Sequence, residues 1–205
     1  MQPSNSPDIQ CQSQTVIDQD GLLQLFPEFI SPPESAQLFE ELLNTLAWQN
    51  ESIRMFGKQI PVPRLVCWYG DENARYTYSG VSHQPLPWTE SLLAIRRRIE
   101  NQTGALFNSV LGNLYRNERD SMGWHADNEY ELGLNPVIAS LSLGQSRTFK
   151  LRHNKSRNIV DLELASGSLA VMSGQFQHCW QHSLPKWRSA KSQRINLTYR
   201  HIHNT

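Results

Sequence analysis

Lysine and arginine are missing from the first 51 residues, which carry eight acids. From residue 52 onward the chain holds nineteen bases against eleven acids, a surplus of eight beneath a formal net charge of zero. This asymmetry lets the later part of the chain face a polyanion, although a solvated basic face gives the same count. Cysteine is scarce: Cys11, Cys67 and Cys179 are odd in number and lack paired short spacings. That argues against a disulfide framework and against a cysteine-held zinc. No run of about 18 apolar residues occurs, and "MQPSNSPDIQCQSQ" lacks the basic and apolar regions of a secretory signal. These absences lead us to expect a soluble protein of a reducing compartment with no membrane contact. That means the cytoplasm in a bacterium, or nucleus and cytoplasm in a eukaryote.

With 39% apolar residues in 205, what remains suits one globular domain. Residues 1–20, rich in Gln, Ser and Asp, read as a flexible tail, and 21–205 as a single domain. "GLLQLFPEFI" predicts a short strand and a turn. "SPPESAQLFEELLNTLAW" predicts a helix with Ser31 as N-cap, Pro32 at its first position and Glu34 completing a capping box. Leu38, Leu42, Leu43 and Leu46 form its apolar stripe. "TESLLAIRRRIENQ" predicts a second helix ended by Gly104, with Leu92, Leu93, Ile95 and Ile99 inward and Arg96 to Arg98 on its surface. From Ala105 the pattern changes to short alternating or β-branched segments: "ALFNSVLGNLYRN", "VIASLSLG", "RTFKLRH", "IVDLELA", "SLAVMSG" and "RINLTYRHI". Two helices followed by about eight strands point to a mainly β, α+β fold. Its core is a double-stranded β-helix (jelly roll) over 105–205, with the two N-terminal helices of the 21–104 extension packed on one side.

The segment "MGWHADNEY" places His125 and Asp127 two apart, so both side chains leave one face of an extended chain. Two histidines and one carboxylate on a β scaffold suit non-haem iron(II) and leave three positions open. The third ligand must come from elsewhere. His153 lies in a basic hairpin and His201 and His203 near a terminus, which leaves His178 and His182 in "FQHCWQHSLPKW". Their offset of four does not separate them, and hydrogen-bonded surface histidines remain the plain alternative. "GNLYRN" puts Asn113 and Tyr115 on one face of a strand, and "RINLTYR" does the same for Arg194, Asn196, Thr198 and Arg200. Inward arginines are costly to bury without anions, and a dicarboxylate would neutralise them by bidentate pairing. An edge strand with wet arginines is the alternative. The basic run "RTFKLRHNKSR" (147–157) and the acid-free tail from Leu184 are candidate polyanion contacts.

With these residues assembled, the chain resembles the AlkB family of iron(II)- and 2-oxoglutarate-dependent dioxygenases over residues 53 to 202. The motifs are "NLYRNERDSMGWHADNE", "PVIASLSLGQSRTFKLRH", "WQHSLPK" and "RINLTYR", in family order. The similarity is to the branch with the second and third vertebrate homologues, which repair alkylated nucleic acid. It implies Fe(2+), 2-oxoglutarate and dioxygen, with His125, Asp127 and His182 as the metal ligands. It also implies that Asn113, Tyr115, Arg194 and Arg200 contact 2-oxoglutarate, Arg194 on its distal carboxylate and Arg200 near its keto-acid end. Tyr76 and Tyr78 match aromatics lining a nucleotide pocket, and Glu129 an acid near the damaged base. Met55 and Phe56 match a hairpin tip that fills the gap left by an extruded base, and Arg147 a pocket or structural arginine. Asn128 stands where the branch usually has a second aspartate, removing a negative charge beside a cationic base. A loop found in some relatives is short here, around Asn158.

The implied activity is oxidative dealkylation of bases such as 1-methyladenine and 3-methylcytosine in DNA or RNA, by a monomer. Two rivals stand beside it: an iron and 2-oxoglutarate hydroxylase acting on a protein or small molecule, and a non-enzymatic β-sandwich binding module.

Overall fold

The computed structural model describes residues 12–203 except 56–57, 75, 79–80 and 190; of 53–55, 58, 76–78 and 81–83 it describes the backbone only. The expected hairpin tip at Phe56, and the side chains of Met55, Tyr76 and Tyr78, therefore lie outside the described residues.

The chain opens with β1 (Gln14–Ile17), β2 (Leu22–Phe26), α1 (Pro32–Thr45), β3 (Gln49–Met55), β4 (Lys58–Gly70), β5 (Tyr76–Tyr78), β6 (Val81–His83) and α2 (Glu90–Thr103). It continues with β7 (Ser109–Tyr115), β8 (Met122–His125), β9 (Ile138–Gly144), β10 (Arg147–His153), β11 (Ile159–Leu164) and β12 (Leu169–Ser173), then α3 (Phe176–Cys179), β13 (Trp180–Leu184) and β14 (Arg194–Arg200). Eight strands form one sheet in the order β1-β2-β12-β9-β14-β7-β4-β3, and four form a second in the order β11-β10-β13-β8. The two antiparallel sheets make the expected jelly roll. The central strands of the large sheet are covered on both faces and so are buried almost throughout: β9 has six of seven residues buried. In β10, by contrast, burial alternates from Arg147 to His153, as in a strand with one wet face.

Parity divides the side chains. Leu141, Leu143, Ile195, Leu197 and Tyr199 join Leu42, Leu46, Leu92, Ile95 and Ile99 in the core under the helices. Ile138, Tyr115, Phe149, Leu151, Met172 and Leu184 join the core between the sheets. Tyr199, fully buried, donates its hydroxyl to the Leu92 carbonyl at 3.0 Å and ties α2 to β14.

Three expectations need correction. The capping box at α1 does not form: Ser31 makes no side-chain cap, and Glu34 is drawn to Arg98 of α2 instead. An ion pair between the helices thus displaces the local hydrogen bond. Gln14–Ile17, expected within a loose tail, pairs with β2 as an edge strand, because the large sheet offers an unpaired edge there. β3 and β4 add two strands to the large sheet that the sequence does not announce, since Pro61 and Pro63 interrupt the pattern in β4. α2 behaves as read, with Thr89 accepting from Leu92 N–H and Gly104 ending it at φ +70°. Leu93 is only half-buried. Among the described residues no helix is long and apolar enough to cross a membrane.

Candidate metal and cosubstrate site

β8 and β13 are antiparallel neighbours with His125 directly opposite His182, their ring centroids 4.2 Å apart. Asp127 follows two residues beyond His125, buried, where β8 has ended. Each of the three offers one ligand atom, and these atoms lie within 4.8 Å of one another. Of His178 and His182, the backbone brings only His182 beside His125 and Asp127. α3 occupies Phe176–Cys179 and breaks the strand, so the even offset no longer places both on one face. His178 turns its Nε2 to the Leu134 carbonyl. His153 is held by Ser156 at 3.0 Å and Asp20 at 3.2 Å, and His201 and His203 meet edge to face, their ring centroids 4.8 Å apart.

The surroundings of the three side chains suit a divalent cation. His125 Nδ1 lies 2.9 Å from the Gly123 carbonyl, which can only accept, so Nε2 keeps its lone pair. Burial, and the neighbouring His125, press the His182 imidazole down to about 3, keeping it neutral. Its Nδ1 is buried with no hydrogen-bond partner among the described residues. Burial alone would raise the Asp127 carboxyl, but Arg200, His182 and His125 outweigh it and bring it down to about 2. Arg200 Nη2 donates to Asp127 Oδ1 at 2.8 Å, and Asp127 N–H donates to the buried Gln177 Oε1 at 2.9 Å. Two imidazoles, one of them held neutral by burial, and one ionised carboxylate on a β scaffold fit a facially bound transition metal with positions left open.

Continuous with this cluster, one pocket is lined by Asn113 and Tyr115 of β7, Arg194, Asn196, Thr198 and Arg200 of β14, Ser140 of β9, and His125, Asp127 and His182. Leu111, Met122, Phe149, Met172 and Leu184 supply apolar wall. Arg194 is 2% exposed. It donates to Ser142 Oγ at 2.9 Å and lies over the Tyr115 ring at 5.3 Å. Burial lowers it to about 10, Tyr115 opposing, so it stays cationic at neutral pH. Its Nε is buried without a hydrogen-bond partner among the described residues, as fits an arginine that awaits an anion. Asn196 donates to Ser140 Oγ at 2.7 Å and accepts from Thr198 at 3.0 Å, which fixes the floor.

Of the other expected residues that are described, Arg147, Asn128 and Glu129 do not line this pocket. Arg147, 2% exposed, donates to the Asp120 and Pro185 carbonyls at 3.2 and 2.7 Å and so fastens two loops. Asn128 is exposed. Glu129 is half-buried, and its Oε2 is buried without a hydrogen-bond partner among the described residues. Sequence reasoning missed two contributors. Gln177 holds the Asp127 backbone, and Arg64, 7% exposed, donates from Nε to Asn113 Oδ1 at 2.6 Å. Arg64 shares the face of Val66, which pairs with Asn113, so its parity was readable only once β4 was known to be a strand.

Comparison with known proteins agrees with this geometry. The family model for the 2OG-Fe(II) oxygenase superfamily matches residues 22–200. The human alpha-ketoglutarate-dependent dioxygenase alkB homolog 3 is 37% identical over 210 residues, covering 92% of this chain and 73% of that protein. The human DNA oxidative demethylase ALKBH2 is 36% identical over 194 residues, covering 89% and 74%. Among solved structures, OsALKBH1 aligns with a TM-score of 0.62 at 14% identity, over 93% of this chain and 100% of that one. An oxidoreductase of the 2OG-Fe(II) oxygenase family from Burkholderia pseudomallei aligns at 0.59 and 16%, over 89% and 87%. At those identities the two structures speak to the fold alone. The chain belongs to the 2OG-Fe(II) oxygenase superfamily, among its AlkB homologues, and is an iron(II)- and 2-oxoglutarate-dependent dioxygenase.

Proposed function

We propose that this protein oxidatively removes N-linked alkyl groups from bases of DNA or RNA, 1-methyladenine and 3-methylcytosine among them. In this reading His125, Asp127 and His182 hold iron(II), and Asn113, Tyr115, Arg194 and Arg200 hold 2-oxoglutarate. The observation that carries it is that all seven side chains, drawn from four strands and one loop, line a single pocket. The names of the relatives, one of them a DNA oxidative demethylase, support the substrate class.

Iron(II) with 2-oxoglutarate and dioxygen supplies the oxidation of the alkyl carbon, with succinate, carbon dioxide and an aldehyde as products beside the restored base. The protein's part is placement. Arg194, desolvated and cationic, suits the distal carboxylate of a dicarboxylate, with Asn113 and Tyr115 beside it. Arg200 keeps Asp127 ionised and oriented. The apolar wall of Leu111, Phe149, Met172 and Leu184 excludes water from the oxidising centre. Glu129, with a buried carboxylate oxygen lacking a donor, favours a base that carries positive charge. Asn128 leaves Glu129 as the acid on that side. Tyr76 and Tyr78 serve to stack on the target base, and Met55 and Phe56 to fill the gap behind an extruded one, where a wedge offsets the few kcal/mol of unstacking. The recognition hairpins belong to residues 21–104 and the core to 105–205 of one domain, working as a monomer.

The test is aerobic turnover with iron and 2-oxoglutarate on oligonucleotides bearing 1-methyladenine, 3-methylcytosine or 1,N6-ethenoadenine, as DNA and RNA, single- and double-stranded. Repaired base with matching aldehyde and succinate is the expected result. Succinate without repair of any oligonucleotide would move the assignment to an oxygenase of proteins or small molecules. Binding should weaken steeply with salt, as a phosphate-dependent substrate requires.

A further inference from the structure

The segment that carries His125 and Asp127 also carries apolar surface into solvent. Trp124 is 36% exposed, Tyr130 82% and Leu134 79%. Of the seven large hydrophobic side chains exposed among the described residues, three fall between positions 124 and 134. Trp124 has company, since the Arg152 guanidinium sits 4.3 Å from its ring centroid. The Tyr130 ring makes no ring or cation contact among the described residues.

This exposure does not come from a loose loop. Asp127 N–H is pinned to Gln177, and Leu132, 2% exposed, anchors the far side in the core between the sheets. Between them one 3-10 turn, Tyr130–Leu132, is closed by Leu132 N–H to the Glu129 carbonyl at 3.0 Å and Gly133 N–H to the Tyr130 carbonyl at 3.1 Å. His203 N–H reaches the Glu131 carbonyl at 2.8 Å. The turn ends at Gly133, whose φ of +79° is the left-handed region that favours glycine. A ring presented on so constrained a backbone loses little conformational freedom when something stacks on it.

We propose that Tyr130 stacks on a base adjacent to the alkylated one in the substrate strand, so that efficient turnover requires a flanking nucleotide. The inference rests on the reading of the protein as a nucleic-acid dealkylase. Connectivity puts the ring in reach. Tyr130 lies three residues along the chain from the buried Asp127, so their Cα atoms lie no more than about 11 Å apart, and the chain surfaces at the exposed Asn128. A nucleotide flanking one delivered to the Asp127 side of the pocket therefore passes within the span this ring can reach. Every base has a π-face, so this contact gives affinity for a strand without reading its sequence.

The experiment uses two oligonucleotides with the same 3-methylcytosine or 1-methyladenine, one flanked by natural bases and one by abasic sites. The wild-type protein should prefer the first. Tyr130→Ala should lower kcat/KM on it by about 5- to 100-fold, the range that one base–aromatic stack spans, and should no longer distinguish the two. Tyr130→Phe, which keeps the ring, should retain the preference. Equal losses on both oligonucleotides, or no loss on either, would overturn the stacking role. If the wild-type protein repairs neither, the dealkylase reading fails and the stacking role falls with it.

Discussion

Arg200 Nη2 donates to Asp127 Oδ1 at 2.8 Å, joining the last residue of β14 to the loop that follows β8. One strand of the large sheet thereby orients a carboxylate that belongs, in sequence, to the small sheet. Arg200→Gln should weaken iron binding about 10- to 100-fold, the usual cost of removing a group that orients a ligand. Turnover titrated against iron in the presence of a competing chelator measures it. An unchanged iron requirement would refute the orienting role.

His182→Ala should abolish 2-oxoglutarate turnover, whereas His178→Ala should retain most of it. His178 sits in α3 against a backbone carbonyl and offers no atom to the cluster. Succinate release by the two variants decides the matter, and the reverse order would overturn the ligand assignment.

Arg64→Ala should raise the KM for 2-oxoglutarate by about 5- to 100-fold with a smaller change in kcat. It leaves the Asn113 side chain, 3% exposed, without its donor, and an orphaned buried acceptor costs about 1–3 kcal/mol. Arg64→Lys should recover part of the loss. A fall in kcat with KM unchanged would argue against Arg64 as a positioning residue for the cosubstrate.

Burial pushes the Cys67 thiol up to about 12, the Gly112 backbone hydrogen bond opposing only in part. The folded protein therefore keeps a proton that the unfolded chain releases above pH 9. The stabilisation is complete below that pH and is lost as pH rises toward 12, about 4 kcal/mol in all. Alkaline denaturation of Cys67→Ala should show a shallower loss of stability above pH 9 than the wild type. In the folded protein at pH 8, thiol alkylation read by mass spectrometry should spare Cys67, and rapid modification there would contradict its burial.

Much of the fold was legible because burial imposes period. The alternation in "RINLTYR" named Arg194, Asn196, Thr198 and Arg200 as one face, and those four line the pocket while Ile195, Leu197 and Tyr199 pack under the helices. Gly104 and Thr89 marked the ends of α2 by local backbone chemistry. At Ser31 and Glu34 the same kind of local rule failed, since Arg98, 64 residues from Glu34, competes for its carboxylate.

The sequence by itself determined the residue types: two histidine–carboxylate donors at strand spacing, inward arginines on a later strand, and a jelly-roll series of short strands. Choosing His182 over His178 on physical grounds needed the tertiary structure, because a single helical turn at Phe176–Cys179 resets which way the following strand faces. The same holds for Arg64 with Asn113, Gln177 with Asp127 and Arg200 with Asp127, which are 49, 50 and 73 residues apart. Spacing along the chain reports only on neighbours that share a strand or a helical face. Contacts across strands depend on sheet order and register, and those are decided by how the whole core closes.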